Sequence, residues 1–167
     1  PYEVLGTKWL SYDEIILLKG VEELVELYYN SGQYTLTLKY AVPFFESPFR
    51  FYEMFSAWYR GKGYHKLNHN RFEKYNILRE FLREHIDENE RDTLDEIMLY
   101  DMYLRENVKG RPAWAKDTAQ YKKEWKALYR EQGEKLFPED VQAGIYDSKR
   151  AANQSHIEVF EINIKKF

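Results

Sequence analysis

Apolar residues in LSYDEIILLKGVEELVELYYNSGQ, residues 10–33, recur at helical spacing, with Leu17, Val21, Leu24, Val25 and Tyr28 on one stripe. Ser11 stands three residues before Glu14, the reciprocal pair that satisfies open amide donors at a helix start. Asn30-Ser31-Gly32 supplies a left-handed stop. The pattern predicts a helix from Tyr12 to Tyr29. The following QYTLTLKY, residues 33–40, alternates Tyr34, Leu36, Leu38 and Tyr40 with polar neighbours, which by period alone is a strand. No hairpin partner flanks it, and an unpaired strand between helices leaves its backbone donors without acceptors. A short helix is the better expectation, with a strand as the alternative.

Ser47-Pro48 reads as a helix cap followed by proline at the first helical position, where its missing donor costs nothing. Phe51, Phe55, Trp58 and Tyr59 then form an aromatic face that ends at Gly61 and Gly63. Asn70 and Glu73 repeat the capping pair and open a helix through Ile86, with Tyr75, Leu78, Phe81 and Leu82 inward. A helix over 92–107 carries Leu94, Ile97, Met98 and Leu104 on one face, KGRPAW breaks it, and Asp117 with Gln120 caps a last long helix through Glu131.

The final stretch SHIEVFEINI, residues 155–164, places Ile157 and Val159 on one face and Phe160, Ile162 and Ile164 on the other. A strand with a change of phase near Phe160 fits this pattern. One strand cannot satisfy its own backbone, so its partner would be YEVL at 2–5, the segment 34–40, sequence outside this chain, or a second copy in a homodimer. The fold class expected is mainly α: a single helical domain of about five or six helices with a short C-terminal β-strand element.

Composition narrows what such a domain does. A length of 167 residues suits one domain with a sizeable core, and the absence of cysteine removes thiolate catalysis, cysteine-ligated metals and disulfides together. Against 25 basic residues stand 28 acidic ones, for a net charge of −3, which argues against a dominant nucleic-acid footprint. Apolar runs are too short for a membrane span or a signal peptide, and a cytoplasmic location is the expectation.

Three constellations have a chemical reading beside a structural one. His65 and His69 have the i, i+4 spacing of a two-imidazole metal site, but glycines precede them and Asn70 caps the next helix, so loop packing or amide bonding is expected. Asp101 falls beside the apolar stripe of its helix, where a carboxylate needs a partner, and a structural ion pair with Arg105 or Arg111 is expected over a general base. Tyr121, Lys122, Lys123, Trp125, Lys126 and Arg130 interleave aromatic and basic side chains, a pattern that binds RNA or protein through phosphate contacts and stacking. Residues 116–130 hold five basic and two acidic groups, a local charge of only +3, and an amphipathic helix with a solvated face is the simpler expectation. No phosphate loop, nucleophile elbow or zinc-protease motif occurs in the sequence, and no residue is assigned a catalytic, cofactor-binding or metal-binding role.

Taken together, PYEVLGTKWLSYDEIILLKGVEELVELYYNSGQ, SPFRFYEMF, YDMYLREN…RP and HIEVFEINI resemble a C-terminal domain of unknown function in cobalamin-binding radical S-adenosylmethionine proteins. Those proteins are of the kind described as similar to the anaerobic magnesium-protoporphyrin IX monomethyl ester oxidative cyclase. The resemblance spans nearly the whole chain, and its opening 33 residues are the most specific part. In that family a cobalamin domain precedes a catalytic barrel with a Cys-x-x-x-Cys-x-x-Cys motif, and this domain comes last.

The resemblance implies that residues 1–9 join the barrel and that 10–167 form a helical accessory domain. It further implies a parent of the oxidoreductase or methyltransferase class that uses a 4Fe–4S cluster, S-adenosylmethionine and cobalamin. None of the three would be bound by this chain alone, and the barrel of the same chain would be its partner. A start at Pro1 fits a piece cut from such a parent. RNA or protein binding through the 116–130 helix is the alternative.

Overall fold

Helix starts in this chain are set by side chains that accept the free amide donors of the first turn. A computed structural model describes residues 8–105, 110–149, 151 and 158–166, with the side chains of Arg105, Lys122 and Lys126 outside the description. Ser11 Oγ accepts from the Glu14 amide and the Glu14 carboxylate accepts from the Ser11 amide, opening α1 (Tyr12–Leu24). A π-helical turn, Val25–Asn30, carries the chain on to Gly32, which takes the left-handed conformation at φ 65°. The segment with the strand-like period is helical, α2 (Thr35–Ala41), followed by a 3-10 turn Val42–Phe44. Ser47 and Asn70 cap α3 (Pro48–Gly61) and α4 (Arg71–His85) as their spacing predicts, and α5 (Arg91–Arg105) follows.

The chain divides into two compact units, Pro1–Ala113 with Ile162–Phe167, and Trp114–Glu161. In the first, α1 packs on α3, α2 on α5, and α4 on α5. Its core is a run of touching rings. Tyr75 meets Tyr34 at a centroid distance of 4.5 Å, Tyr34 meets Tyr28 at 4.9 Å, Tyr28 meets Phe55 at 5.0 Å, and Phe55 stacks on Phe81 at 4.5 Å. Each buried ring of this size contributes about 1.5–3 kcal/mol. The polar ends are satisfied where the run reaches backbone: Tyr28 donates to Lys74 O and Tyr75 to Gln33 O.

Polar bonds fix the helices around this core. Arg79 and Arg83 of α4 grip Asp95 of α5 at 2.7–2.9 Å. Between α3 and α4, the Lys62 ammonium lies 5.1 Å over the Trp58 ring and bonds Glu80 and Glu84, while Trp58 Nε1 donates to Glu84. Close approach of α1 to α3 depends on Gly20, where an added Cβ would lie 2.3 Å from Ser56 Oγ and 3.1 Å from Arg60 Nε.

In the second unit a 3-10 turn, Ala119–Tyr121, leads into α6 (Lys122–Leu136), and α7 (Pro138–Gln142) follows with proline in its first turn. The long helix does not begin at the expected Asp117–Gln120 cap: Asp117 accepts from the Ala119 amide of the 3-10 turn, the N-cap position Tyr121 has no side-chain cap bond, and α6 starts later and ends later than its predicted limits. The Phe137 ring stacks between Tyr129 and Tyr146, whose hydroxyl donates to Tyr129 O.

The described residues hold α1–α7, further helical residues at 148, 149 and 151, and no strand, so the chain has more helices than the five or six expected and the expected terminal β element is corrected over 158–164; residues 155–157 lie outside the description. No neighbouring strand offers a ladder there. The Ile162 amide instead donates to the buried Glu96 carboxylate at 3.1 Å, and Ile164–Lys166 closes as a 3-10 turn. No helix among the described residues is long and apolar enough to cross a membrane.

Two outcomes check this packing. Gly20→Ala should destabilise by about 1–2 kcal/mol in urea melts, because overpacking outweighs the gain in helix propensity of about 1 kcal/mol, and Ser56→Ala in the same chain should recover most of the loss. A deficit untouched by Ser56→Ala would show that the helices do not meet at this contact.

The second outcome concerns pH. Bonds to Glu80 and Glu84 hold Lys62 above its ordinary 10.5, and the Lys62 and Trp58 donors hold Glu84 below its ordinary 4.5. Glu84 therefore contributes stability above pH 4.5 that is lost as pH falls through its lowered value; Lys62 contributes below pH 10.5 and loses its share as pH rises through its raised value. Both groups face solvent, so the effect is small. The deficit of Lys62→Met should be largest at neutral pH and close in acid, and a deficit independent of pH would remove the electrostatic account.

Candidate functional site

Of the apolar stripe predicted on the first helix, only part enters the core. Leu24 and Tyr28 are buried, whereas Val21 and Val25 are half-buried and Leu17 is exposed. Val21 and Val25 form one wall of an open groove of about 1070 Å³, continued by Tyr29 and Asn30 of the π-helical turn. Thr35, Leu38 and Lys39 of α2 and Val42 and Pro43 of the 3-10 turn form the second wall. Pro48, Phe49 and Tyr52 from the start of α3 close one side.

The polar groups of the groove are few. Asn30 Nδ2 is occupied by the Glu26 carboxylate and Thr35 Oγ1 donates to Gly32 O. Lys39 is the sole charged residue of the lining. Tyr52 is only 7% exposed, its ring packs edge-on against Phe51 at 4.8 Å, and its buried hydroxyl has no hydrogen-bond partner among the described residues. Burial, with a smaller effect from Tyr29, pushes the Tyr52 pKa up to about 12, so at neutral pH the hydroxyl keeps its proton and is a donor. A π turn in a wall is itself informative, since such turns occur frequently at functional sites.

Asp101 is buried, and it acts as a cap reaching in from another helix. Its Oδ1 accepts from the Leu36 amide at 3.2 Å, and Oδ2 accepts from the Thr37 amide at 2.7 Å and Thr37 Oγ1 at 2.8 Å. These are first-turn donors of α2, which its own preceding residue, Tyr34, leaves uncapped. The pairing expected with Arg105 falls on a side chain outside the description; Arg111 is half-buried.

His65 is exposed in a 3-10 turn, Tyr64–Lys66, while His69 Nε2 lies 2.9 Å from Tyr64 O and its ring meets Tyr59 and Tyr64 edge-on. For His69 that is the amide bonding and loop packing the sequence context predicts. With Nε2 donating to a carbonyl, Nδ1 lies 3.8 Å from Glu73. Among the described residues no group of three or more His, Asp or Glu is placed to hold a metal ion.

In the second unit, Tyr121 and Trp125 are half-buried while Lys123 and Arg130 are exposed; the side chains of Lys122 and Lys126 lie outside the description. Glu124, Glu131 and Glu134 are exposed on the same helix and interrupt its basic face.

The groove residues Val25, Tyr29, Asn30, Phe49 and Tyr52 escaped the sequence reading as a site.

Replacing Asp101 with Ala strands the buried Thr37 amide and hydroxyl and the half-buried Leu36 amide at once and should cost at least about 2 kcal/mol in urea melts, with Asp101→Asn retaining part of the loss. A loss below the error of the melt would show that α2 does not depend on this carboxylate.

No curated protein and no solved structure matches the chain. A family described as "Protein of unknown function (DUF4080)" matches residues 1–167, and the chain belongs to it.

Proposed function

We propose that this chain is a noncatalytic C-terminal accessory domain of a radical S-adenosylmethionine, cobalamin-binding enzyme, and that it docks the catalytic barrel of its parent through the outer surface of α1. One observation carries the docking role. Trp9, at 83% exposure, and Tyr12, Leu17 and Leu18 are exposed together within a few turns, although α1 already buries Gly20 and Leu24 against its own unit. Apolar surface grouped in this way marks an interaction face.

The chemistry is drawn from the family resemblance. The chain has no cysteine, so cluster ligation would belong to the parent's barrel, as would binding of S-adenosylmethionine, with cobalamin held by the preceding domain. RNA binding through α6 has less support, because exposed glutamates share the face of Lys123 and Arg130.

Antibody raised against this chain is expected to reveal, in extract of the source cells, a band much larger than 20.3 kDa, and the captured protein is expected to carry iron. A native band of 20.3 kDa, or a larger one without iron, overturns the proposal.

A further inference from the structure

Exposed apolar side chains gather at one end of the second unit. Leu136 closes α6 at 51% exposure, Val141 of α7 is 39% exposed, and Ile145, just past α7, is 54% exposed. The turn that carries them is fixed by its backbone. Gly144 takes the left-handed conformation at φ 67°, its amide donates to Val141 O, and the Ile145 amide donates to Asp140 O, the paired bonds that close a helix on a left-handed glycine. In such a turn the residue after the glycine frequently packs on an apolar side chain from the last turn of the helix. Here Glu139 and Asp140 stand at those positions, so Ile145 finds no apolar seat on its own helix and is left exposed.

Charge selects what could cover it. Residues 131–149 hold five carboxylates, Glu131, Glu134, Glu139, Asp140 and Asp147, against Lys135 and Lys149. Four of the five are exposed and Asp140 is half-buried. Their field reaches the turn itself: burial first, then the charges of Glu134 and Asp147, raise the Tyr146 pKa above its ordinary 10.0. An excess of negative charge repels phosphate, so nucleic acid and anionic membranes are poor partners, whereas a cationic segment is attracted and oriented. The apolar side chains come from helix ends and a turn, with no strand edge among the described residues to extend, so a partner reads them through side chains, as an amphipathic helix does.

We propose that this end of the second unit docks a basic amphipathic helix of a partner protein, its apolar stripe on Leu136, Val141 and Ile145 and its cationic side chains against Glu134, Glu139 and Asp140. The contact is a property of the 167-residue chain itself and is measured without iron, so it stands or falls separately from the identity of the parent.

The test is a fluorescence anisotropy titration of the chain into a labelled model peptide of leucine and lysine arranged at helical spacing, with a leucine and glutamate peptide of the same pattern as control. Saturable one-to-one binding of the lysine peptide, weakening as salt is raised, is expected, and none of the glutamate peptide. Ile145→Ser should weaken binding about ten-fold in a chain that still melts cooperatively, because the side chain it removes is exposed.

Glu134→Lys with Glu139→Lys should weaken binding and flatten its salt dependence, whereas Glu22→Lys with Glu46→Lys, which reverses two exposed carboxylates of the first unit, should leave it unchanged. A binding curve unmoved by Ile145→Ser, or weakened equally by the two pairs of charge reversals, overturns the assignment. So does a dimer of the unaltered chain in sedimentation that Ile145→Ser dissolves, which would make a second copy the occupant.

Discussion

The carboxylate of Asp101 holds the first unit in its arrangement. Helix α2 has seven residues, too few to be stable alone given the cost of nucleating a helix. Its first-turn amides are directed into the protein with no cap from their own segment, and Asp101 supplies two oxygens from a helix more than sixty residues away. The dependence runs in both directions. A buried carboxylate is costly unless its lone pairs are satisfied, and the N-terminus of α2 satisfies them with donors and with the positive end of the helix dipole. Thr37 adds its hydroxyl to the same oxygen as its amide. What is fixed by this contact is the position of Tyr34 in the ring core and of Leu38 in the groove wall.

The aromatic core extends that constraint. Rings from the π-helical turn, the start of α2, α3 and α4 touch in sequence, so one large-to-small change would disturb four segments. Tyrosine in such a core places a hydroxyl wherever the ring ends, and the protein must answer it. Tyr28 and Tyr75 end at backbone carbonyls, and burial raises the Tyr28 pKa well beyond its ordinary 10.0, keeping it a donor. Tyr52 is also buried, though less completely, and its hydroxyl has no acceptor among the described residues.

Local chemistry was the legible part of this fold. Ser11, Ser47 and Asn70 cap in the structure because the bonds they make span three residues and depend on nothing else. Tyr34 to Tyr40 was read correctly as helix by asking where the backbone donors would go, against its own alternating period. At 155–164 the alternating pattern favoured a strand, with candidate partners at 2–5, at 34–40, outside the chain or in a second copy; the Ile162 amide instead donates to the Glu96 carboxylate.

Asp101 was recognised as needing partners, but the donors on α2 that it caps are remote in sequence, and no spacing rule reaches that far. Helix α7 follows a Phe-Pro step and is shorter than the windows in which helical period is visible. The groove escaped for another reason. Val21 and Val25 satisfy the stripe that predicts burial, and only the tertiary arrangement decides that they face open space.

The π-helical turn explains how one helix serves both core and groove. Gly20, Leu24 and Tyr28 follow the seam against α3 and the ring core, while Val21, Val25 and Tyr29 stay one residue behind along the open side. A regular helix advances by about 100° per residue and would carry Tyr29 and Asn30 farther round the axis. The wider turn slows that advance, keeps both on the groove wall, and delivers the chain to Gly32 in position for α2 to begin under Asp101. The capped helix and the widened turn thus line one groove, and the Asp101 cap that fixes the start of α2 also sets where that helix meets the turn.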